Sequence, residues 1–131
     1  MTQEPIEVIL LRHWASYMAI PIWICGPDGT LVFYNEPAEG LLGRRFDEEG
    51  EINTAELADL FVTTDLDGTP IPAADLPIAR ALSEHHPTHR HLRIRNGEGR
   101  EVAIEVSAFP IEGQGGRHLG AFAALWEMTT P

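Results

Sequence analysis

Lysine is absent from this chain, cysteine occurs once, and no apolar run approaches the roughly twenty residues of a membrane span. The 9 cationic side chains are all arginine, set against 20 acids, and the formal net charge is -11. A surface of that sign repels phosphate backbones, so nucleic acid is excluded as a partner. The lone Cys25 cannot close an internal disulfide, and no charged leader with an apolar core and cleavage site opens the chain. A cytoplasmic location without a membrane partner is the expectation. Catalytic parts are missing too: no nucleophile elbow, phosphate-cradling glycine loop, paired-cysteine motif or His-Glu metal helix occurs. An enzyme is therefore not expected.

What remains is 131 residues, 44% of them hydrophobic, enough for one domain with one ordinary core. The stretch PIWICGPDGTLVFYNEPAEGLLG, residues 21–43, reads as a strand, a turn, a second strand and a short helix. Asp28-Gly29 suits a two-residue hairpin with positive φ at its centre. Asn35 can cap the helix that follows, Pro37 sits in its first turn, and Gly43 suits a left-handed stop. A helix of about two turns cannot stand alone, so it must pack on the sheet.

Residues 5–19 carry helical spacing twice over. Ile6, Ile9, Leu10, Trp14 and Tyr17 form one apolar stripe, and Val8, Leu11, Ala15 and Met18 form another. One stripe covers the chain's own sheet, and the other, read as Val8, Leu11, Ala15 and Met18, meets a second copy in a homodimer. Further on, Asn53-x-x-Glu56 has capping-box spacing ahead of Leu57, Leu60 and Phe61. Asp65-Leu66-Asp67-Gly68 lacks the later oxygen ligands of a calcium loop and reads as a turn. Asp75 is placed to cap LPIARALSEH, which Pro87 stops.

From Thr88 the period changes to two. Leu92 and Ile94 alternate with His91, Arg93 and Arg95, the turn Asn96-Gly97-Glu98-Gly99 follows, and Val102, Ile104, Val106 and Ala108 alternate with Glu101, Ala103, Glu105 and Ser107. Arg93 and Arg95 are expected to pair across the hairpin with Glu101 and Glu105. HLGAFAALWEMT is apolar on both faces, as a central strand must be.

The motifs GPDGTLVFYNEPAEGLLG, DLDGTPIPAADLPIARAL, RIRNGEGREVAIEVSAFPI and GAFAALWEMT, in that order, resemble the PAS family of sensory domains. Two positions depart from the common pattern: Gly26 where many members have Asp, and Glu127 where Asp is common in the closing strand. The resemblance implies an α+β fold, a five-stranded antiparallel sheet with helices over one face, and an N-terminal amphipathic helix on the other. Residues 1–19 would be the flanking helix and 20–131 the PAS domain. Matched position by position, the ligand-facing side chains would be Trp23 and Cys25, Leu92 and Ile94, Ile104, Val106 and Ala108, and Ala123 and Leu125. Leu42 and Leu82 would close the site from the helices. Phe122, Ala124 and Trp126 would face the N-terminal helix.

Flavin-binding relatives carry amide side chains where this chain has Ile94, Ile104 and Leu125, and a reactive cysteine in an Asn-Cys-Arg motif that Cys25 lacks. Flavin is therefore not expected, because an apolar wall leaves the ring's polar atoms unpaired. Haem is the alternative, with His85 or His86, at the end of the helix before the third strand, as the iron ligand that such relatives place there. Of His85, His86, His89 and His91, the last two share a strand face, but no third ligand stands at a defined spacing, so no metal centre is assigned. The reading is a cytoplasmic sensory module with a small apolar ligand of unknown identity, a homodimer, and a signalling effector protein or domain as partner. The competing reading is a protein interaction module whose cavity is filled by Trp23.

Overall fold

The computed structural model describes residues 5–42, 62–95, 99 and 101–128. Helix α1 (Ile6–Ala15) comes first, followed by strands β1 (Ile22–Cys25) and β2 (Leu31–Tyr34) and the short helix α2 (Glu36–Leu42). Strand β3 (Val62–Thr64) precedes a turn of 3₁₀ helix at Ala73–Asp75 and helix α3 (Pro77–Glu84). Strands β4 (Thr88–Arg95), β5 (Glu101–Glu112) and β6 (His118–Glu127) are the remaining strands among the described residues. All strands join one antiparallel 6-stranded sheet in the order β2-β1-β6-β5-β4-β3. The two-sided apolar strand β6 lies inside the sheet, between β1 and β5. The sheet exceeds the expected five strands by β3, an edge strand that pairs Val62 with Arg95 and Thr64 with Arg93.

Two loops with the sequence pattern x-x-Asp-Gly-Thr are built alike. In the first, Gly26 N–H donates to the Thr30 carbonyl at 2.9 Å, Gly29 N–H to the Gly26 carbonyl at 3.0 Å, and Thr30 N–H to Asp28 Oδ1 at 3.0 Å. In the second, Asp65, Gly68, Thr69 and Asp67 repeat the set at 2.7, 2.9 and 2.9 Å. Gly29 and Gly68 carry positive φ, 88° and 93°, while Asp28 and Asp67 do not. The β1–β2 connection is thus a three-residue loop ending in a left-handed glycine, not the expected two-residue turn, which would need positive φ at both central residues. In each loop the backbone N–H of the threonine holds the aspartate carboxyl below its ordinary range.

The helix boundaries follow local chemistry. Asn35 caps α2, its Oδ1 accepting from Ala38 N–H at 3.2 Å. Helix α3 begins one residue later than Asp75 would place it: Leu76 is the N-cap and Pro77 the first helical residue, where no amide donor is lost. His85 closes it in the left-handed conformation, φ 58°, a position usually given to glycine. Helix α1 ends at Ala15, short of the expected residue 19, and Ser16, Tyr17 and Met18 N–H close its last turns on Arg12, Trp14 and Ala15. The capping box at Asn53, the Gly43 stop and the Asn96–Glu98 turn lie outside the described residues.

Buried side chains fall into two groups, one for each face of the sheet. The larger joins β1, β2, α2, α3, β4, β5 and β6 through residues such as Cys25, Tyr34, Ala38, Ala81, Ile104 and Leu125. The smaller unites Val8 and Ala15 with Ile22, Ile24, Ile111 and Leu119, and packs Leu11, Met18, Phe33 and Phe122 against them. Val8 and Ala15 are 4% and 0% exposed, so the stripe assigned to a partner subunit is used within the chain. The stripe left exposed is the other one, Ile6, Ile9, Leu10, Trp14 and Tyr17. Trp126, expected under a helix, is exposed as well.

Candidate functional site

Strand alternation and register assemble the inner wall. Trp23 stands opposite Ala123, Cys25 opposite Ala121, Ala108 opposite Ala123, Val106 opposite Leu125, and Leu92 opposite Ile104. These residues, with Ile94, form one contiguous apolar group, against which the half-buried Trp23 and Leu82 pack. The side chains assigned to the ligand face therefore come together, apart from Leu42, whose side chain lies outside the described residues. Its neighbour Leu41 belongs to the group, together with Ala38. Tyr34, Leu31, Ala81 and Ala121 belong to it too and were not singled out in the sequence. Leu31 and Tyr34 stand at the two ends of β2, and the position of that strand at the edge of the sheet obscured their burial.

Helix α3 lies across β4, β5 and β6 and sets Ala81 and Leu82 over this wall. Thr88 Oγ1 donates to the Pro77 carbonyl at 2.7 Å and ties the start of β4 to the start of that helix. Under the helix the wall has its shortest side chains, Ala108, Ala121 and Ala123, adjacent on β5 and β6. Around them stand the larger Trp23, Tyr34, Ile94, Ile104 and Leu125. Among the described residues the lining carries neither a carboxylate nor an imidazole.

Cys25 is the one titratable thiol, and burial, with a smaller contribution from Asp28, pushes it up to about 12. It stays a neutral thiol at physiological pH and behaves as a small hydrophobe. Amide side chains that would meet a flavin edge are absent at Ile94, Ile104 and Leu125, all of which are buried. The histidines offered as iron ligands do not fit that role. His85 is exposed and stacks on His118 with centroids 3.7 Å apart, and His86 is exposed and engaged by Glu84 Oε1 at 3.1 Å. An axial ligand must aim into the core, and neither ring does.

A family model for the PAS domain matches residues 19–129. The chain belongs to the PAS domain family. Solved PAS domains share its fold at low identity. The PAS domain of a protein from Colwellia psychrerythraea is 19% identical with a TM-score of 0.64, the match covering 93% of this chain and 98% of that one. The PAS domain of nitrogen regulation protein NR(II) from Vibrio parahaemolyticus is 18% identical with a TM-score of 0.64, over 91% and 98%. The Rhodobacter sphaeroides LOV protein is 11% identical with a TM-score of 0.71, over 95% of this chain and 69% of that one. No curated protein sequence matches the chain. PAS domains are sensory modules, and no helix among the described residues is long and apolar enough to cross a membrane.

Proposed function

We propose that this PAS domain is a cytoplasmic sensory module that binds a small apolar molecule on the inner face of its sheet and has no catalytic activity of its own. One observation carries the reading: the apolar side chains on β1, β4, β5, β6 and α3 converge on a wall whose centre is the alanine set Ala108, Ala121 and Ala123. Short side chains there leave a hydrophobic ligand the most room, and the absence of carboxylates and imidazoles among the described lining residues favours an uncharged one. Residues 20–131 form the sensor and residues 1–19 the flanking segment, whose helix α1 backs the opposite face of the sheet. Support for that placement is the packing of Val8 and Ala15 with Ile22 and Ile24, and Arg12 above the Phe33 ring at 5.3 Å. The domain dimerises through the exposed stripe of α1 and relays ligand occupancy through that helix to an effector protein or domain.

Trp23 supports a second reading, an interaction module in which the indole, packed on the apolar group, fills the ligand space. Native mass spectrometry of the purified chain separates the two. A co-purifying small molecule, lost in Ala123→Leu, supports the sensor. A ligand-free dimer that also fails to retain hydrophobic probes overturns it in favour of the interaction module.

A further inference from the structure

Strand β4 sets His89 and His91 two residues apart on the same exposed face of the sheet, and β5 places Glu105 directly opposite His91. His89 Nε2 and His91 Nε2 each lie 3.2 Å from the same oxygen, Glu105 Oε1. Arg93 and Arg95 do not compete for this carboxylate, since both turn to Glu101, at 3.5 and 3.6 Å. Among the described residues this is the group of histidine, cysteine and carboxylate side chains in which three ligand atoms converge, all within 4.8 Å of one another.

We propose that His89, His91 and Glu105 form a surface site for a divalent transition-metal ion of the zinc class. Bonds of about 2.0–2.2 Å in tetrahedral geometry hold ligand atoms roughly 3.4 Å apart, close to the two 3.2 Å separations found here. Exposed rings close the remaining gap by small rotations, a movement on the fastest side-chain timescale. Two imidazoles and a carboxylate are a donor set that suits zinc, nickel and copper and disfavours calcium or magnesium. The outer shell is present too: Ser107 Oγ lies 2.7 Å from His89 Nδ1. With the Nδ1 proton donated to Ser107, the Nε2 lone pair is left for the metal and the ring orientation is held. Three protein ligands leave a coordination position for water or a further group. An ion there would clamp β4 to β5 on the face opposite the apolar wall, independently of what that wall binds.

Titration calorimetry of the full chain, freed of any affinity tag, with zinc chloride tests the site. One ion per chain is expected. His91→Ala and Glu105→Gln should each weaken binding at least about tenfold, and Ser107→Ala should weaken it less. A variant lacking the stacked pair, His85→Ala with His118→Ala, should bind as the parent does. All these side chains are exposed or half-buried, and thermal melting without metal confirms that the variants fold. Absence of saturable binding, binding unchanged in His91→Ala and Glu105→Gln, or binding lost in the His85/His118 variant would each overturn the proposal.

Discussion

Asn35 Nδ2 donates to the Ala15 carbonyl at 3.0 Å, joining the cap of α2 to the last residue of α1 across 20 positions of sequence. The same amide donates to the Ile20 carbonyl at 2.9 Å, and its Oδ1 accepts from Ile22 N–H at 3.0 Å and Ala38 N–H at 3.2 Å. One buried side chain thus satisfies backbone groups at the end of the flanking helix, in the connection after it, at the start of β1 and in the first turn of α2. Its hydrogen-bonding capacity is fully used, and it ties the start of β1 and the first turn of α2 directly to the end of α1.

Asn35→Ala should cost on the order of 3 kcal/mol, because several buried backbone groups lose their partner at once. Asn35→Ser keeps an acceptor for the α2 cap but cannot span to Ala15 and Ile20. It should cost less, about 1–2 kcal/mol, and its effect should be local. Hydrogen exchange on the serine variant should show early loss of protection in residues 6–20 while β4–β6 stay protected. Uniform loss through the sheet would refute a tethering role for this side chain.

Gly120 occupies φ 138°, and a Cβ there would sit 2.0 Å from the Cys25 carbonyl oxygen. Both the left-handed backbone and the close approach of β6 to β1 demand glycine. Gly120→Ala should destabilise by roughly 3 kcal/mol or more, since neither the backbone oxygen nor φ can yield cheaply. Denaturant unfolding measures this. Gly115→Ala is the comparison: it shares the positive φ, 71°, but has open space around it, so its cost should stay near 1 kcal/mol.

The exposed stripe of α1 predicts which leucine the proposed dimer would depend on. Leu10 is 62% exposed whereas the adjacent Leu11 packs against the smaller buried group. Leu10→Glu should convert the proposed dimer to a monomer with little change in melting temperature. Leu11→Glu should instead lower stability by about 2–3 kcal/mol, because it buries a charge among Ile22, Ile24 and their neighbours. Light scattering and thermal melting on the two variants check both halves. A monomeric parent chain would remove the dimer, and equal melting points would refute the assignment of the stripes.

Much of this fold is legible in the residues, and the places where it is not have physical causes. Period-two alternation placed β4, β5 and the inward set Leu92, Ile94, Ile104 and Val106, because register in a half-buried hairpin leaves one choice of face. The Asn35 cap was equally plain. Strand β3 left no such mark: Val62–Thr64 is a three-residue edge strand with an exposed valine, too short for a period. The two stripes of α1 are both apolar, so which one turns inward is set by tertiary packing and not by helical spacing. Glu105 as the neighbour of His89 and His91 was within reach. Once Arg95 faces Glu101 across the hairpin, antiparallel pairing puts His91 opposite Glu105. The pull of arginine on carboxylate obscured it.

Cys25 supplies the pH test. Its thiol is raised from 9.0 to about 12 in the folded chain, chiefly by burial. A group whose folded value lies above its unfolded one contributes stability that is complete below the unfolded value. That contribution is lost as pH rises from 9.0 towards 12, the interval between the two values. The loss approaches about 1.4 kcal/mol per pH unit across that window. Tyrosine and arginine titrate at high pH in any variant, so the difference between the parent chain and Cys25→Ala isolates the thiol. Below the window Cys25→Ala should be less stable by about 1 kcal/mol from lost packing, and the gap should close and then reverse as pH climbs through it. Urea midpoints measured at about pH 8 and about pH 10.5 read the change. Ellman's reagent gives an independent reading: the native thiol should stay unreactive until urea unfolds the chain. Rapid labelling of the native protein, or a pH-independent gap between the two chains, would show that Cys25 is not held neutral by the core.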